Sequence, residues 1–138
     1  MKTENLQEWI GKTEERSDLL NAFPANAMAA TLNHEQLDYS ENKNLPPLWH
    51  WLYFLPIFRL SEAGYDGHVA LGDFLPPVQL PRRMWAGSRI EFLSPLKVGN
   101  EYKKKSKIKN VLAKSGRSGD LVFVTVTHEV SNGTKVFI

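Results

Sequence analysis

Apolar residues are spaced differently along the chain, and the changes mark out its elements. Leu6, Trp9 and Ile10 recur at helical spacing and stop at Gly11, which predicts a short amphipathic helix over Glu4 to Ile10. Arg16 to Phe23 fits either a strand or a loop. Pro24 then opens the alanine-rich run Ala25 to Leu32; alanine favours helix, and proline suits a first turn, where its missing N–H costs nothing. Small side chains there permit close packing. A polar loop, Asn33 to Asn44, leads to Pro46-Pro47 and to Leu48 through Leu55, which is rich in Trp, Tyr and Phe and ends at Pro56. That composition reads as a strand, with helix as the alternative.

Period-two patterns dominate the second half. Trp85 to Leu93 alternates as a first long strand, and Pro95 with Gly99-Asn100 marks a turn. Glu101 to Lys114 reads as a second strand, with Lys103, Lys105, Lys107 and Lys109 on one face and Tyr102, Lys104, Ser106, Ile108 and Leu112 on the other. The turn Ser115 to Asp120 reverses the chain into Leu121 to Val130. There Val122, Val124, Val126 and Val130 share one face, and Leu121, Phe123, Thr125 and Thr127 share the other. Asn132-Gly133 is a turn signal, and Thr134 to Ile138 starts one more strand. Helices followed by long antiparallel strands give an α+β order, not the βαβ alternation of a nucleotide-binding fold. No repeat or linker divides the chain, so residues 1–138 are expected to form one domain.

Composition narrows the function classes. The chain has 138 residues, 42% of them hydrophobic, enough for one core and too few for two independent ones. It has no cysteine, and His34, His50, His68 and His128 lack metal-ligand spacing, so neither disulfides nor a metal site is expected. The charged N-terminal stretch lacks the apolar core of a secretory signal, and Leu45 to Leu60 is too short and too interrupted to span a bilayer. A cytoplasmic protein that does not enter membranes is the expectation. Net charge is only +2, yet Lys97, Lys103, Lys104, Lys105, Lys107, Lys109, Lys114 and Arg117 make the C-terminal half basic. Lysines at alternate strand positions with no interleaved aromatic platform describe a solvated face, so no nucleic-acid partner is expected.

Four places carry candidate chemistry. His50 stands between Trp49 and Trp51 on an apolar segment, where a hydrogen-bonded structural histidine competes with a catalytic base. Asp66, His68 and Asp73 are spaced for a small acid/base cluster, but each aspartate adjoins a glycine, and Asp-Gly pairs are turn formers. Arg82 and Arg83 follow a proline at a strand entrance. Trp85, like Trp49 and Trp51, suits a core or interface as well as a substrate platform.

Read in order, Leu45-Pro46-Pro47-Leu48-Trp49-His50-Trp51, Gly64-Tyr65-Asp66-Gly67-His68, Gly72-Asp73-Phe74-Leu75-Pro76-Pro77, Leu80-Pro81-Arg82-Arg83-Met84-Trp85-Ala86-Gly87 and Gly116-Arg117-Ser118-Gly119-Asp120-Leu121-Val122-Phe123-Val124 resemble the N-terminal half of two-hotdog MaoC-like hydratases. Mesaconyl-CoA and itaconyl-CoA hydratases and mitochondrial-type 3-hydroxyacyl-thioester dehydratases belong to that group. The resemblance implies a hotdog fold, an antiparallel sheet wrapped around a helix, and a substrate that is an acyl thioester of coenzyme A or acyl-carrier protein. Hydration of such a thioester needs a base for water, a proton for the α carbon and donors for the enolate oxygen. The resemblance assigns the first two roles to an Asp and a His separated by four residues in the C-terminal half. No Asp in this sequence is followed five positions later by His, and Asn33, His34 and Asp38 do not reproduce the pattern.

The chain therefore reads as a substrate-shaping half without catalytic residues or cofactor, in a homodimer or in a heterodimer with a catalytic hotdog subunit. Its substrate-binding candidates are Arg82, Arg83, Trp85 and His50. Guanidinium groups match a coenzyme phosphate, although both arginines could instead make structural pairs. An acyl-CoA-binding or assembly module is the rival reading. A hotdog thioesterase is weaker, because Pro24 to Leu32 carries no carboxylate.

Overall fold

A computed structural model of the chain describes residues 4–35 and 38–138. Its elements are a 3-10 helix Glu4–Trp9, strand β1 (Thr13–Leu19), helix α1 (Ala22–Thr31), 3-10 turns Trp49–Leu52 and Leu60–Glu62, and the long strands β2 (Glu101–Gly116) and β3 (Gly119–Ser131). The strands form one sheet in the order β1-β2-β3. Pairing is antiparallel: Gly11 N–H donates to the Ile108 carbonyl, Ile108 N–H to Lys12, and Leu20 N–H to Asn100. The fold is thus the α+β hotdog class that the element order and the resemblance imply. Among the described residues no helix is long and apolar enough to cross a membrane. By contacts the chain divides into two compact units, the first made of Met1–Glu14, Pro56–Arg89 and Ser106–His128, the second of Glu15–Leu55, Ile90–Lys105 and Glu129–Ile138.

The second unit holds the larger core. Leu20, Ala25, Leu45, Tyr53, Phe54, Leu96, Val98, Tyr102 and Val130 are buried together, and each large apolar side chain so buried contributes roughly 1.5–3 kcal/mol. Helix α1 enters this core through Ala25, with Ala22 packed against it, and Ala29 one turn on from Ala25 is buried as well. Asn21 caps its start by accepting the Phe23 N–H, and Pro24 sits in the first turn. At its end Asn33 takes φ 56°; its N–H donates to the Ala30 carbonyl and the His34 N–H to Ala29, closing the last turn. Tyr53 donates its hydroxyl to the Asn21 carbonyl at 2.7 Å. Burial raises the Tyr53 hydroxyl above its ordinary pKa, and the Asp18 carboxylate adds in the same direction.

The first unit has a smaller core, with Leu6, Ile108 and Val111 buried against Trp9, Phe74, Val78, Val122 and Val124. Gln7 fixes the N-terminal 3-10 helix to β2 by donating to the Val111 carbonyl at 2.7 Å. Along β2, Tyr102, Ser106 and Ile108 are buried at even positions, as the alternation predicts, but the next buried residue is Val111. The phase therefore slips by one at Lys109-Asn110. Cross-strand pairs agree: Ser115 meets Asp120, whereas Ser106 meets His128, one residue short of the register set at the turn. An extra residue in one strand of a pair is a β-bulge.

Three expectations are corrected by these observations. Leu48 to Leu55 is not a strand but a single 3-10 turn, Trp49–Leu52, between Leu48 at φ 73° and Phe54 at φ 58°, which turn the chain at both ends. Trp85 to Leu93 joins no strand ladder, since an extended segment needs a neighbour for its backbone groups and among the described residues only Leu93 finds one, the Phe137 carbonyl. Leu112 is 44% exposed because the slip puts Val111 inward in its place. The lysine face, the valine face of β3 and the Asn132-Gly133 turn stand as expected; Asn132 Oδ1 accepts the Thr134 and Lys135 N–H groups. Positions 36–37 of the polar loop lie outside the described residues.

Candidate substrate site

In the second unit the turn that carries His50 forms one wall of a cavity of 240 Å³. Pro46 accepts the Trp49 N–H and His50 the Tyr53 N–H, so the turn is closed by its own backbone. The two residues that bracket it are bulky and left-handed, a conformation costing about 1–3 kcal/mol each that the fold must enforce. Asp18 does so at one end by accepting the Phe54 N–H at 2.9 Å. His50 is buried, its ring 5.9 Å from Trp51 and edge-on to Phe92 at 6.2 Å. Pro46, Pro47, Phe92, Leu93, Leu96 and Ile138 give the cavity an apolar lining, while His50 and Ser94 bring polar side chains and no Asp or Glu side chain is among its lining residues. Such a space can hold a short apolar group and offer it a hydrogen bond. Its lining supplies no Asp or Glu as a base.

Arg82, Arg83 and Trp85 belong to the first unit. There Asp66 gathers its neighbours: Oδ1 accepts the His68 N–H at 3.1 Å, and Oδ2 lies 3.5 Å from His68 Nδ1 and 3.3 Å from Arg83 Nε. The His68 N–H holds the Asp66 carboxyl below its usual range, and the Arg83 guanidinium adds to the effect. Gly64 donates to the His68 carbonyl and Ala63 bridges Val69, so Asp66 and His68 sit at the tip of a tight turn, as their glycines foretell. Asp73 is not part of this group; its carbonyl accepts from Lys12 Nζ. Tyr65 ties the same turn to the arginine segment by donating to the Pro81 carbonyl.

Arg83 thus has a structural pair, whereas Arg82 is exposed and forms no ion pair among the described residues. Trp85 is 76% exposed, its indole N–H donating to Ser88 Oγ at 3.0 Å. Of the other tryptophans, Trp49 packs on the core of the second unit and stacks with His34 at 5.8 Å, while Trp51 is 55% exposed. His34 is therefore an aromatic packing partner at the end of α1.

One polar pair escaped the sequence reading. Ser106, fully buried on β2, shares a 2.8 Å hydrogen bond with His128 Nδ1 on β3. Counting back from the two-residue turn places Ser106 opposite Glu129, and only the bulge brings His128 into line. Its burial suits the serine to fixing register rather than to attack on a substrate. Among the described residues no three of His, Asp and Glu stand close enough together to hold a metal ion.

Comparison with known proteins adds two findings. The model of the family described as hydroxyacyl-thioester dehydratase type 2 matches residues 48–138. Mesaconyl-C(4)-CoA hydratase of Chloroflexus aurantiacus is 44% identical over 130 residues, which are 94% of this chain and 46% of that protein. The chain spans about half the length of the curated relative it matches.

Proposed function

The chain belongs to the hydroxyacyl-thioester dehydratase type 2 family, and from that premise we propose that it is the substrate-shaping half of an enoyl-thioester hydratase or 3-hydroxyacyl-thioester dehydratase. The reaction adds water reversibly across the double bond of a 2-enoyl thioester. Hydroxide joins the β carbon as a base takes the water's second proton, charge passes to the thioester oxygen, and the α carbon then takes a proton. The observation that carries the reading is the match to a hydratase together with the missing Asp-x4-His spacing. A partner half supplies base and acid. This half contributes the cavity, where His50 donates to a polar atom of the acyl group, while Arg82 contacts a coenzyme phosphate and Trp85 flanks the acyl channel.

A second reading, an acyl-thioester-binding module without turnover, is favoured by the lining of the cavity, which contains no Asp or Glu. One set of assays separates the two. Hydration of crotonyl-CoA and of a mesaconyl thioester is measured with the chain alone, then with the part of the Chloroflexus hydratase that the chain does not match. Activity only in the mixture is expected. Hydration by the chain alone overturns the half-enzyme reading, and tight acyl-CoA binding with no hydration in either case supports the binding module.

A further inference from the structure

The turn at residues 64–68 of the first unit gathers more side chains than closing a turn requires. Asp66 Oδ1 accepts the His68 N–H at 3.1 Å, and that bond alone suffices for a turn of this kind. Its other oxygen, Oδ2, is shared between two further groups, lying 3.5 Å from His68 Nδ1 and 3.3 Å from Arg83 Nε. Arg83 comes from a different segment, which Tyr65 clips to the turn through the Pro81 carbonyl. The Asp66 side chain is mostly buried, whereas that of Arg83 is partly open and that of His68 exposed. Held at Nε, Arg83 keeps its Nη donors, and among the described residues no hydrogen bond engages them. Held at Nδ1, His68 keeps Nε2, which donates when the ring carries its second proton. Tyr65, anchored by its hydroxyl, is exposed.

We propose that Tyr65, His68 and Arg83, the last two positioned by Asp66, bind a nucleoside phosphate, the 3′-phosphoadenosine end of coenzyme A. This rests on the half-enzyme reading, in which Arg82 meets a phosphate of the carrier, and adds which carrier that is. A guanidinium anchored at Nε offers its free edge bidentately to a phosphate. The anchor fixes it before the ligand arrives, so less side-chain freedom is lost on binding. His68 brings a second donor to the same place, and the Tyr65 ring offers an aromatic face on which a base stacks. A simple carboxylate would use the donors and leave the ring idle; a nucleoside phosphate uses all three side chains. Of the two thioester carriers, coenzyme A ends in a phosphorylated adenosine, whereas the pantetheine arm of a carrier protein ends in a phosphodiester to serine, with neither base nor terminal phosphate.

The test is titration calorimetry of the whole chain with adenosine 3′,5′-bisphosphate and with adenosine 5′-monophosphate. The bisphosphate is expected to bind about tenfold to hundredfold more tightly, through charge-assisted bonds to its 3′-phosphate. Arg83→Gln is expected to erase most of that preference, and Tyr65→Ala to weaken both nucleotides by about tenfold. Asp66→Ala separates positioning from charge. Removing a negative charge alone would tighten phosphate binding, whereas releasing Arg83 and His68 loosens it, and loosening is expected. No binding or equal binding of the two nucleotides by the parent, a preference that survives Arg83→Gln, undiminished binding by Tyr65→Ala, or tighter binding by Asp66→Ala would each overturn the proposal. The comparison on the parent needs no variant, so it decides even where a variant fails to fold. Hydration is scored separately, with the unmatched part of the Chloroflexus hydratase added. Crotonyl-CoA turned over no faster than crotonyl-pantetheine sinks the nucleotide site and leaves the half-enzyme reading; nucleotide preference without any hydration does the reverse.

Discussion

Two aromatic, proline-rich stretches of this chain end in opposite surroundings. In the second unit, residues 45–54 are held by bonds to distant segments: Leu45 N–H donates to Leu96, Phe54 N–H to Asp18, and the Tyr53 hydroxyl to Asn21. Leu45, Tyr53 and Phe54 are buried as a result. In the first unit, residues 56–89 are tied mostly to themselves, through Tyr65 to Pro81 and Asp66 to Arg83. There Ile57 is 99% exposed, Leu60 90% and Met84 82%. Apolar content alone does not make a core; a segment becomes core when its backbone groups find partners that let it be buried. Exposed residues of this kind are what an interface or a ligand channel is made from.

The largest expected contrast tests this division. Leu20→Ala, at a fully buried position of the larger core, is expected to cost about 2–5 kcal/mol. Met84→Ala is expected to leave the chain's stability within roughly 0.5 kcal/mol of the parent. Urea unfolding of both variants measures the difference, and equal losses would mean that Met84 is packed after all. A smaller effect is expected at Gly99, which has φ 90° and stands where an added Cβ would lie 2.7 Å from Glu41 Cγ. Gly99→Ala is expected to lose about 1–2 kcal/mol. Gly133 shares its positive φ but has open space around it, so Gly133→Ala should lose less.

How much of this was legible depended on whether a signal was local. The valines of β3, the lysine face of β2 and the alanines of α1 each follow a single period and were read correctly. β1 was read only as strand or loop and from Arg16 on, because Thr13–Leu19 turns Glu14, Arg16 and Asp18 to its partly buried side, so no apolar alternation announces a strand. The segment Leu48 to Leu55 misled for the opposite reason: its aromatics suit a strand, but two left-handed residues imposed by tertiary contacts make it a turn. The bulge at Lys109-Asn110 has no marker such as glycine, and with it went the pairing of Ser106 and His128. His50 was singled out from composition, whereas the apolar walls facing it come from residues 92–96 and 138, which no local pattern connects to residue 50.

Within the larger core, Tyr53→Phe is expected to cost about 1 kcal/mol, the net worth of one hydrogen bond. It also carries a pH signature. Burial raises the Tyr53 hydroxyl above its ordinary value of 10.0, so the folded chain keeps a proton that the unfolded chain gives up. The stability from this group is complete below about pH 10 and lost as pH rises through the folded value. Melting curves taken across that range should fall less steeply for Tyr53→Phe than for the parent. Parallel curves would place the tyrosine hydroxyl in water.

In the first unit the corresponding polar group works at the other end of the scale. The Asp66 carboxyl lies below its usual 3.8, so its contribution is present above that value and is lost only as the pH falls below it. Asp66→Asn should therefore show its loss near neutrality, converge with the parent as the pH falls below that value, and so flatten the acid limb of the stability profile.

Trp85→Ala has the smallest expected effect on the chain by itself, since the indole gives up only its bond to Ser88 and is 76% exposed. An unchanged melting temperature would place Trp85 among the residues reserved for a partner or ligand. In the assembly proposed above, the same substitution is expected to shift preference toward longer acyl chains, read as kcat/KM across a series of enoyl-CoA substrates. A melting temperature lowered as far as that of a core variant would return Trp85 to the fold. An unchanged preference would count against a place for Trp85 beside the acyl chain.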